Sequence, residues 1–131
     1  MRSARQTLVA WLGLCLAASA CEPSFGSVEL LQRTSTPEDV EVTVRDDEVS
    51  MPLGMAVGVW IDIKSGTVKR YSADDEVGLA SEDDSIMTVY SMTDRTEEWL
   101  LVGASVGETC LLVSINDKVE EDCIPATVTE P

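Results

Sequence analysis

The sequence contains no histidine, and only 9 Lys+Arg stand against 24 Asp+Glu. Without histidine there is no Ser-His-Asp or Cys-His catalysis and no metal site built on an imidazole. Without a basic face the chain is poorly suited to neutralise a phosphate backbone, which argues against nucleic acid as a partner. Aromatic residues are scarce, at 5%. No apolar run reaches the roughly 20 residues of a membrane-spanning helix. Glycine-rich phosphate loops, Ser-x-x-Lys pairs, heptads and internal repeats are all missing. What is present is a chain of 131 residues with a formal charge of −15 and 44% apolar residues. That supports one folded domain and is too apolar for a disordered acidic tail.

Residues 1–20 read as an export signal of bacterial type. Arg2 and Arg5 form a short positive start, Leu8 to Leu16 is apolar, and Ala17-Ala18-Ser19-Ala20 is a run of small residues. Ala18-Ser19-Ala20 fits the small-x-small rule of ordinary signal cleavage. The same residues followed by Cys21 resemble a bacterial lipobox, with Ala18 where leucine is usual. Cys21 favours the second reading, because it is otherwise an odd free thiol in an oxidising compartment. A lipobox implies acylation of Cys21 and anchoring to a membrane surface without a transmembrane helix. Glu22, rather than aspartate, follows Cys21, and by the same resemblance the outer membrane is favoured. Plain secretion to the periplasm or beyond is the alternative. Residues 21–27 read as a tether and 28–131 as the folded domain. Loss of the leader leaves seven Lys+Arg against 24 Asp+Glu, a formal charge of −17 over 111 residues.

Cys110 and Cys123 are then the two cysteines of the fold, and export makes them a natural disulfide. Two β-type runs, Thr109–Ile115 and Glu121–Thr129, flank Asn116-Asp117, a two-residue hairpin loop. Simple counting places Cys110 opposite Cys123 in a non-hydrogen-bonded pair, close enough to bridge. That register also sets Leu111, Val113 and Ile115 on one face with Lys118, Glu120 and Asp122. A slip by two matches the apolar residues to Ile124 and Ala126 instead and leaves the cysteines diagonal. A bulge near Glu120-Glu121 reconciles both, so the register stays open.

Alternating apolar residues predict short strands throughout. Val28–Leu31 is one. Val40, Val42 and Val44 form a second, broken by Asp46-Asp47-Glu48. Met55, Val57, Val59, Ile61 and Ile63 form the clearest. Thr67–Tyr71, Val77–Ala80, Ile86–Met92, Trp99–Val102, Thr109–Ile115 and Cys123–Val128 complete the set, with Thr93–Glu98 as a polar loop. No stretch carries a helical apolar period. The expected fold is all-β, an immunoglobulin-like β-sandwich of about seven to nine short antiparallel strands.

Two segments resemble the bacterial immunoglobulin-like (BIG) domain family. Ser81-Glu82-Asp83-Asp84-Ser85-Ile86-Met87-Thr88-Val89 is similar to its S-x-D-x-S-I-x-x-V. Gly103 through Val113 is similar to its G-x-x-x-G-x-T-x-L-x-V, with Val106 where proline is common. Pro52-Leu53-Gly54 is similar to its glycine turn. Physical reasons stand beside each match. Asp83 and Ser85 suit a side-chain-bonded turn, Gly103 and Gly107 suit positive φ, and the opposite parity of Ile86 and Val89 implies a bend. The resemblance implies adhesion, spacing or interaction at a cell surface, and no catalytic residues.

Carboxylate clusters are the one remaining source of chemistry. Three acidic runs could offer oxygens to calcium, Asp46-Asp47-Glu48 and, as the weak candidates kept, Asp74, Asp75, Glu76, Glu82, Asp83 and Asp84; consecutive carboxylates rarely surround an ion and no EF-hand spacing occurs. Solvated acidic loops are the plainer reading. Trp60, Tyr71 and Tyr90 are candidate interaction residues. Trp60 should point away from the core face of its strand, to anchor a protein or glycan or to be covered by a loop. Trp99 should be core. The expected function is a lipid-anchored, non-catalytic envelope protein without cofactor, its membrane contact through Cys21 and its protein or glycan partner unknown. The competing expectation is a soluble exported binding module whose acidic loops bind calcium.

Overall fold

The computed structural model describes residues 23–92 and 97–131. The leader and Cys21 lie outside the described residues, as do residues 93–96 of the polar loop. Nine strands form: β1 (Phe25–Gln32), β2 (Thr43–Arg45), β3 (Glu48–Pro52), β4 (Ala56–Ser65), β5 (Val77–Ser81), β6 (Met87–Ser91), β7 (Glu98–Gly103), β8 (Gly107–Ile115) and β9 (Lys118–Thr129). They make two packed sheets, β1-β4-β7-β6 and β2-β3-β9-β8-β5. The expected β-sandwich is present.

Alternation explains the core. Val57, Val59 and Ile61 of β4 are buried, and so are Trp99 and Leu101 of β7, Met87 of β6, and Val28 and Leu30 of β1. The second sheet meets them with Val49, Met51, Leu111, Val113, Ile115, Ile124, Ala126 and Val128. No polar or charged residue is buried among the described residues. The two inner faces thus make one apolar layer, as sandwiches require.

Several expectations are corrected. β3 falls within a stretch that sequence reading left unassigned, although its Val49 and Met51 alternate and are fully buried. It runs parallel to β9, so the strands are not all antiparallel. Only a neighbour distant in sequence decides that direction. Thr67–Tyr71 is not a strand. It is an irregular loop, exposed from Thr67 to Arg70 and half-buried at Tyr71, with no sheet neighbour to complete its backbone hydrogen bonds. The strand expected around Val40–Val44 shrinks to Thr43–Arg45. β1 begins at Phe25, inside the stretch read as a tether, because Phe25 pairs with Ser65.

The hairpin shows which register wins. Asn116 and Asp117 have φ of 51° and 66°, the signature of a two-residue type I′ turn. Ile115 pairs with Lys118 beside the turn, but Leu111 pairs with Ile124 and Cys110 with Pro125 further out. The register shifts between Leu111 and Val113 and again between Val113 and Ser114. Those shifts let Leu111 meet Ile124 in the core while the disulfide still forms across the strands. The cysteines are therefore not directly opposite. Cys110 and Cys123 are bonded, with Cα atoms 4.7 Å apart.

The family-like segments are turns that pack on each other. Asp83 Oδ1 accepts from Ser85 N at 3.0 Å and lies 2.6 Å from its hydroxyl. Ala104 N and Ser105 N both donate to Ile86 O, at 2.8 and 3.2 Å. Ile86 itself lies in the turn before β6, which resolves its parity conflict with Val89. Gly103 does not need positive φ. It is glycine because a Cβ there would sit 3.0 Å from Pro52 O and 3.1 Å from Val128 Cγ1. Gly107 does have positive φ, at 154°.

Candidate interaction face

Strand parity sends every second residue of the β1-β4-β7-β6 sheet outward. Leu31 pairs with Trp60, and Trp60 with Glu98. One step along, Gly58 pairs with Leu100 and Leu100 with Tyr90. Leu31, Trp60, Leu100 and Tyr90 therefore share the outer face of this sheet, and Tyr90 is 54% exposed. Trp60 is half-buried, between the two roles considered for it. Its Nε1 donates to Glu97 Oε2 at 2.9 Å, and the Arg33 guanidinium lies 6.0 Å from its ring centroid. Arg33 Nε is also 3.7 Å from Glu98 Oε1. The indole is thus held by charged groups on its rim, with Leu31 beside it on β1, Glu98 beside it on β7, and Leu100 and Tyr90 in the next row. Sequence parity found Trp60. It missed Leu31, Leu100 and Arg33, because only sheet order brings β1 and β7 to either side of β4.

Tyr71 does not join this face. It lies with Pro23, Ile115, Asn116, Lys118 and Glu120 at the β8–β9 turn. Its hydroxyl pKa is raised, first by burial and then by the charges of Glu120 and Asp75.

The acidic clusters are also kept apart. Asp74-Asp75-Glu76 and Glu82-Asp83-Asp84 lie at opposite ends of β5, whose five residues span about 17 Å. Their carboxylates serve local turns. Asp75 accepts from Ser72 N at 2.7 Å and from Asn116 Nδ2 at 3.1 Å. Glu76 N in turn donates to Asn116 Oδ1 at 2.9 Å. Asp46, from the third cluster, accepts from Leu30 N at 2.9 Å. That bond ties the β2–β3 turn to the open edge of β1, covering an edge that is otherwise free to pair. Among the described residues no group of three or more His, Cys, Asp or Glu is placed to hold a metal ion. Glu82, Asp83 and Glu108 do rim a shallow depression of about 630 Å³ beside the disulfide.

The bonds to Asp75 have a pH consequence. The Ser72 amide, and next the Asn116 amide, hold the Asp75 carboxyl below its ordinary value near 3.8. Its folded value is depressed, so its contribution is complete above the ordinary value and is lost as pH falls through the lowered one. Hydrogen exchange of the Ser72 amide should accelerate, relative to the unfolded chain, only below pH 3.8. Asn116→Ala should move that onset upward. An onset unchanged by the substitution would show that Asn116 does not hold the carboxylate.

No protein-family model matches the chain, and no curated protein matches it. Among solved structures, the crystal structure of domains 4 and 5 of the S-layer protein SbsC is similar, with a TM-score of 0.50 and 16% identity. The match covers 76% of this chain and 53% of that one. The likeness is one of fold. The chain spans about half the length of the S-layer fragment, as a sandwich of the same general architecture.

Proposed function

We propose that this is a lipid-anchored protein of the bacterial cell envelope, with one immunoglobulin-like β-sandwich that serves a structural or interaction role without catalysis. The reading is carried by Ala18-Ser19-Ala20-Cys21 at the end of an export-type leader, four residues ahead of the first strand. A disulfide between Cys110 and Cys123 suits an oxidising compartment. The fold of an S-layer protein fragment is compatible with a cell-surface setting. The outer face bearing Leu31, Trp60, Leu100 and Tyr90 is the interaction surface in this reading, for a protein or a glycan. Its aromatic and apolar row has acidic and basic groups at its margin, the arrangement of an interface centre with a polar rim. Absence of histidine and the separation of the acidic clusters support a non-catalytic role.

The calcium-binding alternative draws less support, because both carboxylate oxygens of Asp75, and one each of Asp46 and Asp83, accept hydrogen bonds from within the chain.

The deciding experiment is the intact mass of the protein from a bacterial membrane fraction, without reductant. The expected mass is that of a chain starting at an acylated Cys21 and two hydrogens light for the disulfide. Cys21→Ser should move the protein from the membrane to the soluble fraction. A soluble wild-type protein with an unmodified Cys21 would overturn the anchor.

A further inference from the structure

We propose that the loop Gly66–Arg70 is a second membrane contact, seating Val68 between Lys69 and Arg70 on an anionic phospholipid surface beside the acylated residue. The inference rests on the anchoring reading above and adds to it an orientation and a lipid preference.

The loop is unusual in its charge. Residues 63–73 contain no acid, yet they carry Lys64, Lys69 and Arg70, three of the seven basic residues after position 20. Everything else after that position balances 24 acids with four cations. Lys64 is already occupied, 2.8 Å from Asp62 Oδ2 and 3.9 Å from Glu29 Oε2. The Asp62 hydrogen bond and charge accordingly raise its pKa. Lys69 and Arg70 are exposed, and among the described residues neither is within ion-pair distance of an acid. Neither cation is held in a direct ion pair, although the charge of Lys69 is felt at Asp75.

The loop is also unusual in its apolar exposure. Val68 is 102% exposed, whereas the next most exposed large apolar residue described, Tyr90, reaches 54%. The loop that presents it is built. Ser65 Oγ lies 2.7 Å from Lys69 O and 3.1 Å from Thr67 Oγ1, and Thr67 N donates back to Ser65 Oγ at 3.2 Å. The Ser65 hydroxyl thus closes the loop at its base, with Val68 near its tip.

Its position supplies the partner. Gly66 N donates to Ser24 O at 2.8 Å, and Ser65 Oγ lies 3.2 Å from the same carbonyl. Two residues, Glu22 and Pro23, separate Ser24 from Cys21, three steps of chain with a reach of at most about 11 Å. Acyl chains on Cys21 therefore hold this loop close to the bilayer. Basic residues near an anionic leaflet each strengthen association about fivefold, and an exposed aliphatic side chain gains by entering the headgroup boundary. Asp75 and Glu120 lie near Pro23 at this same end, whereas Glu82-Asp83-Asp84 lies at the far end of β5, and repulsion of that far cluster turns Gly66–Arg70 toward the membrane.

The test uses the full lipidated protein, reconstituted into vesicles of pure phosphatidylcholine or with one-third phosphatidylglycerol. A thiol introduced by Val68→Cys carries an environment-sensitive fluorophore, since Cys21 is acylated and Cys110 and Cys123 are bonded. Val106→Cys is the control. It precedes β8, whose nine residues span about 30 Å before Asn116 and the loop end of the sandwich. The label at 68 should shift to the blue on phosphatidylglycerol vesicles only, and the label at 106 should not. Lys69→Glu with Arg70→Glu should cut the docked population at least about tenfold, and high salt should do the same. A water-like label at 68 on vesicles that carry the protein would overturn the docking and leave the anchor intact. A blue shift indifferent to charge reversal would overturn the lipid preference. Protein that fails to float with either vesicle would overturn the anchor and the docking together.

Discussion

Trp99→Ala should destabilise the domain by about 3–5 kcal/mol, the usual range for removing a large aromatic from a core. Trp99 is 5% exposed and sits on β7, in register with Val59 of β4 on one side and Ser91 of β6 on the other. β7 itself pairs on both edges, with β4 and with β6, so the cavity cannot close by a loop movement. Domains of this size are stable by about 5–15 kcal/mol, so the loss takes a large share of the whole. Urea unfolding followed by circular dichroism should show a lower midpoint with an unchanged slope. Trp60→Ala is the matched control. Its side chain is half-buried on the outer face and loses one exposed hydrogen bond to Glu97, so its cost should be clearly smaller. Equal losses at the two positions would refute the assignment of Trp99 to the core and Trp60 to the surface.

Joint replacement of Cys110 and Cys123 by serine should cost up to about 3 kcal/mol, set by the short loop that the bond closes in the unfolded chain. Both side chains are partly exposed on the outer face of their sheet, so the substitution opens no core cavity to add to the loss. Reductant should lower the unfolding midpoint of the wild type to that of the double variant, and leave the variant unmoved. A wild type indifferent to reductant would show that the bond adds nothing to stability.

These two predictions differ in how far the sequence alone supports them. The disulfide followed from counting the cysteines that remain after a leader-like segment. Its geometry did not, because strand register is a compromise. Leu111 must meet the core, the type I′ turn fixes Ile115 opposite Lys118, and the two demands differ by two residues. Bulges absorb the difference. Trp99 was readable as core from its place in an apolar run. β3 was not read, because a five-residue strand behind an acidic turn carries too few alternations, and its burial comes from lying beside β9. Thr67–Tyr71 erred in the other direction. Its composition suits a strand, but no neighbouring strand receives it, and an unpaired strand has nothing to hold it flat.

The candidate surfaces divide in the same way. Parity along β4 told which way Trp60 points, and composition told that Lys64, Lys69 and Arg70 stand in an acid-free stretch. Neither told what lies beside them. The cysteine pair, the charge balance and the all-β class are properties of composition and local order, and the sequence by itself determined them. Sheet order, the parallel β3–β9 pair, the row joining Leu31 to Tyr90, and the contact between Gly66 and Ser24 were decided only by tertiary structure. The reason is physical: β pairing joins residues far apart in the chain, and which partner wins depends on the shared core that all nine strands bury together.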